Sequence, residues 1–387
     1  MQHGRGRRAL VFILTLSCFV ALCLFSISTG RAANRQISGN LPEDGPGLYR
    51  FACMACHGAD GVGASSDRVG FDIPLPDFTD CGFAPREGNT DWIAVVAEGG
   101  PARAFSELMP AFGDALTDSE IEKILNYIRT FCADGAWPRG ELNLPRALFT
   151  SKAYPEDEAA FTSVFNTEGD GRVLNKIIFE KRFGARNQFE IVVPFGWNEL
   201  AVSGVDGNTR WESGLGDVAV SVKRVLFAGL NSGAIVSLAG EIILPTGNED
   251  KGLGKGTPVF EPYIAFGRIL PADFFFQFQG GGGLSFDSDK TAHKLFWRLA
   301  GGRVFYQGHF GRSWSPMIEL LGAKELGSDG GTNWDIVPQF QVTLSRRRHV
   351  RLNLGARIPL NDADVRETQF ALYLLWDWFD GGFFEGW

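Results

Sequence analysis

Apolar and polar residues alternate one by one through the C-terminal part of the chain, from about Glu158 to Phe379. In one stretch Val350, Leu352 and Leu354 alternate with Arg351 and Asn353. Because successive side chains of a strand point to opposite faces, each such stretch predicts a strand with one apolar and one polar face. Long strands of this kind, with many aromatic residues, favour a transmembrane β-barrel over a soluble β-sandwich, whose strands are shorter.

The connections between the predicted strands alternate between short and long. The turns at 184–185 and 345–348 are short, whereas those at 246–258 and 327–333 are long. Outer-membrane barrels keep short turns in the periplasm and long loops outside. In a chain that starts and ends in the periplasm, the first connection between strands is a long outer loop. The strand near 172–183 is followed by the short turn at 184–185, so a further strand at 159–166 must precede it. The prediction is twelve antiparallel strands near 159–166, 172–183, 187–197, 217–227, 233–245, 259–270, 274–286, 294–306, 314–326, 333–345, 349–360 and 368–379.

The first residues have the pattern of an export signal. Arg5, Arg7 and Arg8 precede an apolar run that is followed by Gly30 and Ala32. This order predicts a secretory signal peptide over residues 1–32, cleaved after Ala32 or one residue later, and an uncleaved membrane anchor is the alternative. An exported chain is compatible with disulfides.

Cysteine usage becomes simple once the signal peptide is set aside. Cys18 and Cys23 leave with it, and the remaining four are a closely spaced pair and two distant residues. In an exported protein, Cys81 and Cys132 are then a candidate disulfide.

The stretch FACMACHG at 51–58 contains Cys53, Cys56 and His57 in Cys-x-x-Cys-His spacing. A zinc site needs four ligands, usually from two paired knuckles, and a thioredoxin-like dithiol needs a βαβ context, whereas the flanking pattern here is helical. The spacing fits covalent attachment of one haem c, with the two thiols bonded to the haem and the imidazole directed at the iron. Export of the chain suits this chemistry.

The second axial ligand must come from a short set of residues. His57 is the only histidine within the predicted domain at 33–137, and Met54 lies inside the attachment motif. Met109 precedes Pro110 in a segment before a predicted helix, and the proline stiffens the backbone. Met109 is therefore the predicted second ligand, although a methionine in such a place also serves as core filler.

The stretch from about Gly45 to Phe131 resembles a class I monohaem cytochrome c. The resemblance is carried by Gly47-Leu-Tyr, by CMACHGADGVG and by LMPAFGDALTDSEIEKILNYIRTF, where Thr117 and Glu120 form a predicted capping box. It implies an all-α domain, axial ligation of iron by His57 and Met109, and an electron carrier rather than an enzyme. It also implies that an aromatic of the last helix packs on a glycine of the first, here Tyr127 on Gly47.

The barrel part resembles outer-membrane proteins assigned to the transport of phenol meta-pathway compounds, through SGLGDVAVSVKRVLF and EIILPTGNEDKGLGKGTPVFEPYIAFGRIL. The order of parts is similar to the fused outer-membrane cytochrome–porins of iron-oxidising bacteria. We therefore expect a multidomain chain with a cytochrome c domain at 33–137, a linker at 138–158 and a barrel at 159–387, with Phe379 or Trp387 as its terminal aromatic.

The expected function is electron transfer at the bacterial outer membrane, with the cytochrome domain in the periplasm as a cap on the barrel mouth. The haem exchanges electrons with a periplasmic protein and with a small redox donor, acceptor or metal ion that enters through the barrel. The alternative is an outer-membrane transporter of small or aromatic compounds with a tethered cytochrome. Sixteen acidic residues stand against six basic ones between Gln36 and Trp137, and no nucleic-acid partner is expected.

Overall fold

The computed structural model describes residues 41–166, 169, 171–201, 209–307, 311–327 and 330–378. Contacts divide the chain after Gly39, and all described residues belong to the unit Asn40–Trp387. The predicted signal peptide, the cleavage site and both candidate terminal aromatics lie outside the described residues. Within the described part, no helix has both the length and the apolar character needed to cross a membrane.

Five short helices form the N-terminal domain, described over residues 41–137: α1 Gly45–Ala52, α2 Met54–His57, α3 Ser66–Val69, α4 Asn89–Glu98 and α5 Asp118–Ile128. Asp44 caps α1 by accepting a hydrogen bond from the backbone N–H of Gly47 at 2.9 Å. Thr117 and Glu120 form the predicted capping box of α5. The α5 residues that face the core are the predicted apolar stripe, Ile121, Ile124, Leu125 and Ile128.

Fourteen strands follow: β1 Glu158–Asn166, β2 Arg172–Phe183, β3 Asn187–Ala201, β4 Thr209–Leu215, β5 Ala219–Gly229, β6 Ala234–Ile243, β7 Val259–Ile269, β8 Phe274–Ser285, β9 Lys294–Arg303, β10 Phe305–Tyr306, β11 Ser313–Glu325, β12 Asn333–Thr343, β13 Val350–Pro359 and β14 Gln369–Asp377. Every pairing is antiparallel, and β1 pairs with both β2 and β14, which closes the sheet. β4 pairs only with the far half of β3, and β10 is a two-residue strand beside β11. β4 and β5 together fill one place beside β3, and β9 and β10 together fill one place beside β11, so the closed ring has twelve places. The prediction of a twelve-stranded antiparallel barrel is confirmed.

The two faces of the barrel differ in character. Outward positions are apolar and exposed, as at Ile177, Val222, Leu238, Ile264 and Leu354. Inward positions include buried Gln277, Gln279, Glu319, Gln339 and Asn353. An apolar outer surface with a polar interior is the pattern of a barrel that stands in lipid.

Residues 143–157, which we call the lumenal segment, lie inside the barrel rather than outside it. Their backbone is hydrogen-bonded by inward side chains of β3, β5, β6, β8, β9, β11, β12, β13 and β14. These residues belong to the predicted linker at 138–158, and they connect the two domains through the lumen.

Candidate functional site

The attachment motif lies at the junction of α1 and α2. Cys53 is the C-cap residue of α1, and α2 carries Cys56 and His57. Both thiols are free, and burial, with Cys56 adding to it, raises the pKa of Cys53 to about 12. The Tyr49 hydroxyl donates a hydrogen bond of 2.7 Å to the Gly58 carbonyl, which fixes the turn after the motif. The two thiols and the imidazole are therefore presented by one short rigid piece of backbone.

The His57 ring packs at the edge of an aromatic cluster. It stacks on Phe78 with ring centroids 5.0 Å apart, and Phe78 contacts Trp92 at 5.4 Å. The Arg129 guanidinium lies 4.0 Å from the centre of the Trp92 ring. Burial lowers the pKa of His57, so the neutral imidazole, which is the form that binds metal, is favoured.

Met109 lies in residues 104–113, which we call the methionine loop. The Met109 carbonyl accepts a hydrogen bond from the Gly100 N–H at 2.9 Å, and the N–H groups of Phe112 and Gly113 bind α4 carbonyls at the same distance. A Cβ on Gly100 would lie 2.2 Å from the Ser106 carbonyl oxygen and 3.2 Å from the Met109 Cβ, so only glycine allows this close approach. The loop is thus tied to Gly100 through Met109 and to α4 through Phe112 and Gly113.

The structure brings the predicted haem residues to one core. Met109 packs against the apolar cluster that contains Cys53, and His57 reaches the same cluster through Phe78. Nδ1 of His57 is buried and has no hydrogen-bond partner among the described residues. Two free thiols, a neutral imidazole and a thioether beside one apolar core are a donor set that fits haem c. Haem, when bound, would supply one-electron redox chemistry here.

Two further expectations concern packing in this domain. Cys81 and Cys132 are joined by a disulfide, with their Cα atoms 5.2 Å apart. The glycine beside Tyr127 is Gly45 rather than the predicted Gly47, and residues two apart on a helix face different directions. A Cβ on Gly45 would lie 3.3 Å from the Tyr127 Cβ, whereas one on Gly47 would meet Asp44 and Pro42.

The N-terminal domain contacts the barrel at the end that carries the short turns. Asp91 of α4 pairs with Arg348 of the β12–β13 turn (residues 344–349) at 3.0 Å and with Arg103 at 2.9 Å. Arg86 forms an ion pair with Asp157, the last residue before β1. These three buried arginines were missed from the sequence, and the available signal was the run Arg346–Arg348 in a short barrel turn.

One carboxylate in the lumen binds the lumenal segment at Phe149 and Thr150. Glu319 of β11 accepts hydrogen bonds from the N–H groups of Phe149 at 3.1 Å and Thr150 at 2.8 Å, and from the Thr150 hydroxyl at 2.6 Å. The Gln339 amide donates to the same carboxylate at 2.6 Å. Glu319 is fully buried. An irregular backbone is tolerated in such a place because the lumen supplies its hydrogen-bond partners.

Charged groups hold the base of the segment. Arg146 pairs with Glu158 and, at 2.7 Å, with Glu180. Lys152 pairs with Glu156 and, at 3.4 Å, with Glu158. Removing one partner from such buried pairs is costly, so these contacts fix one arrangement of the segment in the lumen.

Two family models match the chain in succession. Residues 40–128 match the model described as cytochrome c oxidase, cbb3-type, subunit III. Residues 157–344 match the model described as "Putative MetA-pathway of phenol degradation". The first match includes both thiols of the motif, His57 and Met109, and the second begins one residue before β1.

Solved structures similar to this chain include two porins and an outer membrane channel. The KdgM porin is 9% identical with a TM-score of 0.38, over 57% of this chain and 99% of its own. The NanC porin is 8% identical with a TM-score of 0.40, over 57% of this chain and 100% of its own. An outer membrane channel from Pseudomonas putida F1 is 12% identical with a TM-score of 0.40, over 61% of this chain and 100% of its own.

No curated protein matches the chain. The two family matches fall in succession on a helical domain and on a closed twelve-stranded barrel, so one polypeptide joins a domain similar to a cytochrome c subunit to an antiparallel barrel.

Proposed function

We propose that the chain is an outer-membrane electron carrier, whose barrel anchors one covalently bound haem c at its periplasmic mouth. The observation that carries this proposal is the placement of the attachment motif and Met109 around one core, in a domain tied by buried ion pairs to the barrel. Cys53 and Cys56 hold the haem, and His57 and Met109 bind its iron. A His/Met pair raises the reduction potential, which suits a carrier.

The periplasmic assignment rests on loop lengths. The N-terminal domain contacts the barrel end formed by the short turns at 184–186, 230–233, 270–273 and 344–349. Outer-membrane barrels place such turns in the periplasm. A soluble periplasmic redox protein then approaches the haem on the face of the N-terminal domain that is turned away from the membrane.

The lumenal segment changes the expected route of the second redox partner. A donor that enters from the long-loop end meets the backbone held by Glu319 before it reaches the N-terminal domain. In this arrangement the barrel is closed, and the haem exchanges electrons on the short-turn side. The second candidate function is transport of a small compound, and it rests on the match of the barrel to a family described by phenol degradation. It requires the lumenal segment to move.

Sealed liposomes containing the haem-loaded full chain test the proposal. Two preparations are compared, one with the long loops outward and one with the short turns outward, each sorted by a tag in a long loop. A membrane-impermeant reductant such as Fe(II) is added outside while the haem spectrum is followed. We expect rapid reduction only in the preparation with the short turns outward.

Rapid reduction in both preparations would overturn the closed lumen and would favour a donor route through the barrel. A chain that carries no covalent haem after expression with the haem-attachment machinery would overturn the electron-carrier function itself. Slow reduction in the long-loops-outward preparation, abolished when the liposomes are better sealed, supports the proposal.

A further inference from the structure

The β12–β13 turn lies against the start of the methionine loop. The Arg347 guanidinium lies 4.5 Å from the centre of the Phe105 ring and donates a hydrogen bond of 3.4 Å to the Ala104 carbonyl. Phe105 and Ala104 are the first two residues of the loop that carries Met109. A side chain of the barrel therefore contacts the loop directly. The cation–π interaction supplies most of the stabilisation, because the hydrogen bond is long.

Ala104 and Phe105, which Arg347 contacts, lie in the part of the loop with the least favourable backbone conformation. Ala104 has a positive φ of 57°, a left-handed conformation that is unfavourable for a residue with a Cβ. Phe105 N–H donates to the Gly100 carbonyl at 2.9 Å, and Gly100 N–H donates to the Met109 carbonyl at 2.9 Å. Strained backbone persists only where its surroundings hold it. The position of Met109 thus depends on how well the first residues of the loop are held.

A second contact from the same turn fixes the residue before the loop. Arg348 pairs with Asp91, which also pairs with Arg103, and both arginines are buried. Arg348 further donates to the Gly311 carbonyl at 2.6 Å, so the turn itself is held to the barrel. The barrel mouth and the methionine loop are consequently joined by neighbouring arginines of one short turn.

We propose that Arg347 is a positioning residue for the axial methionine, acting through Phe105 and Ala104. This inference rests on the proposed function, since it requires Met109 to bind haem iron. Docking of the N-terminal domain on the barrel then strengthens the Met109–iron bond and raises the haem potential. A domain detached from the barrel has a weaker bond and a lower potential.

The chain offers matched variants for a test. Arg347→Ala removes the contacts with Phe105 and Ala104, and Arg347→Lys keeps the positive charge. Phe105→Leu keeps an apolar side chain without a ring, and Phe105→Tyr keeps the ring. Arg346→Ala is the control, because Arg346 is an exposed arginine next to Arg347 in the same turn. The full chain is used throughout, loaded with haem and purified in detergent.

Two properties of the haem report on Met109 without any assay of electron transfer. The first is the affinity of added imidazole, which displaces the methionine from ferric iron. The second is the midpoint potential, read together with the long-wavelength absorption band of sulfur-ligated ferric haem. We expect Arg347→Ala and Phe105→Leu to tighten imidazole binding about fivefold and to lower the potential, since an exposed cation–π contact is worth about that factor. Phe105→Tyr and Arg346→Ala should have the imidazole affinity and the midpoint potential of the unmodified chain. Arg347→Lys should have values between those of the unmodified chain and those of Arg347→Ala.

The outcomes separate this inference from the function beneath it. If the unmodified chain shows the sulfur band and all variants bind imidazole equally, Arg347 has no positioning role and the proposed function stands. If the unmodified chain lacks the sulfur band, the axial assignment of Met109 fails and this inference fails with it. If Arg346→Ala matches Arg347→Ala, the effect comes from turn charge and the inference is overturned.

Discussion

At the residue scale the candidate site consists of two thiols, an imidazole and a thioether. Burial lowers the pKa of His57 and raises that of Cys53, so an imidazole and a thiol face the apolar core without charge. Desolvation is the main cause of both shifts. Neutral groups beside an apolar cluster suit a large apolar cofactor with a metal at its centre, because no charge is left buried without a partner.

Replacement of Met109 by alanine tests the second axial ligand. We expect the midpoint potential to fall and the sulfur absorption band to disappear, because a His/Met pair favours reduced iron. Redox titration of the haem-loaded chain measures both. Met54→Ala is the matched control, since Met54 also packs on the core cluster but lies in the attachment motif. Loss of the band in Met54→Ala with an unchanged Met109→Ala would reverse the assignment.

Elements were predictable from the sequence wherever a period was present. The alternation at 333–360 predicts β12 and β13, and the Thr117 capping box predicts the start of α5. The lumenal segment has no period, contains Pro145 and Pro155, and reads as a linker. Its place is dictated by long-range partners, such as Glu319, that are distant in sequence. The contacts of Arg347 and Arg348 were missed as well, because a run of charges in a short turn is ordinarily solvated, although the run itself is visible in the sequence.

The lumenal segment gives an element-scale prediction about conductance. Glu319→Ala leaves the N–H groups of Phe149 and Thr150 without their acceptor, and each buried unsatisfied group costs about 1–3 kcal/mol. We therefore expect the full chain to conduct weakly in planar bilayers and Glu319→Ala to raise the open fraction about tenfold or more. Single-channel recording in salt solution measures this.

A second lumen-facing glutamate, for which no hydrogen bond to the segment is seen among the described residues, provides the control for that measurement. Glu241 lies on the same face of β6 as Ser237, four residues further along the strand. Glu241→Ala should conduct like the unmodified chain. Deletion of residues 145–153 should give the largest conductance of the series. If the deletion conducts no better than the full chain, residues 143–157 do not close the barrel.

At the scale of the whole molecule, the arrangement of the two domains depends on the contact between the helical domain and the barrel mouth. Its charged part is the pair of Arg86 with Asp157 and the pairing of Asp91 with Arg103 and Arg348. Asp157 is buried, which alone raises the pKa of its carboxyl, but Arg86, Lys181 and the Arg182 N–H together lower that pKa below its usual range. Asp157 therefore supports docking above pH 4 or so, and that support is lost as the pH falls through its lowered pKa.

A nick in the chain separates covalent linkage from docking. Gly135 is exposed, and a Cβ placed on it would meet nothing within 4 Å, so a protease site inserted beside it is accommodated. After cleavage in detergent at pH 7, we expect the haem-loaded domain to stay bound to the barrel during size-exclusion chromatography. Asp91→Ala removes the carboxylate that the buried Arg103 and Arg348 share, and breaking such a buried pair costs about 3–5 kcal/mol. The nicked variant should release the domain, whereas Asp67→Ala, an exposed change on α3, should not. Spontaneous release from the nicked unmodified chain would mean that the linkage, and not the interface, keeps the haem at the barrel.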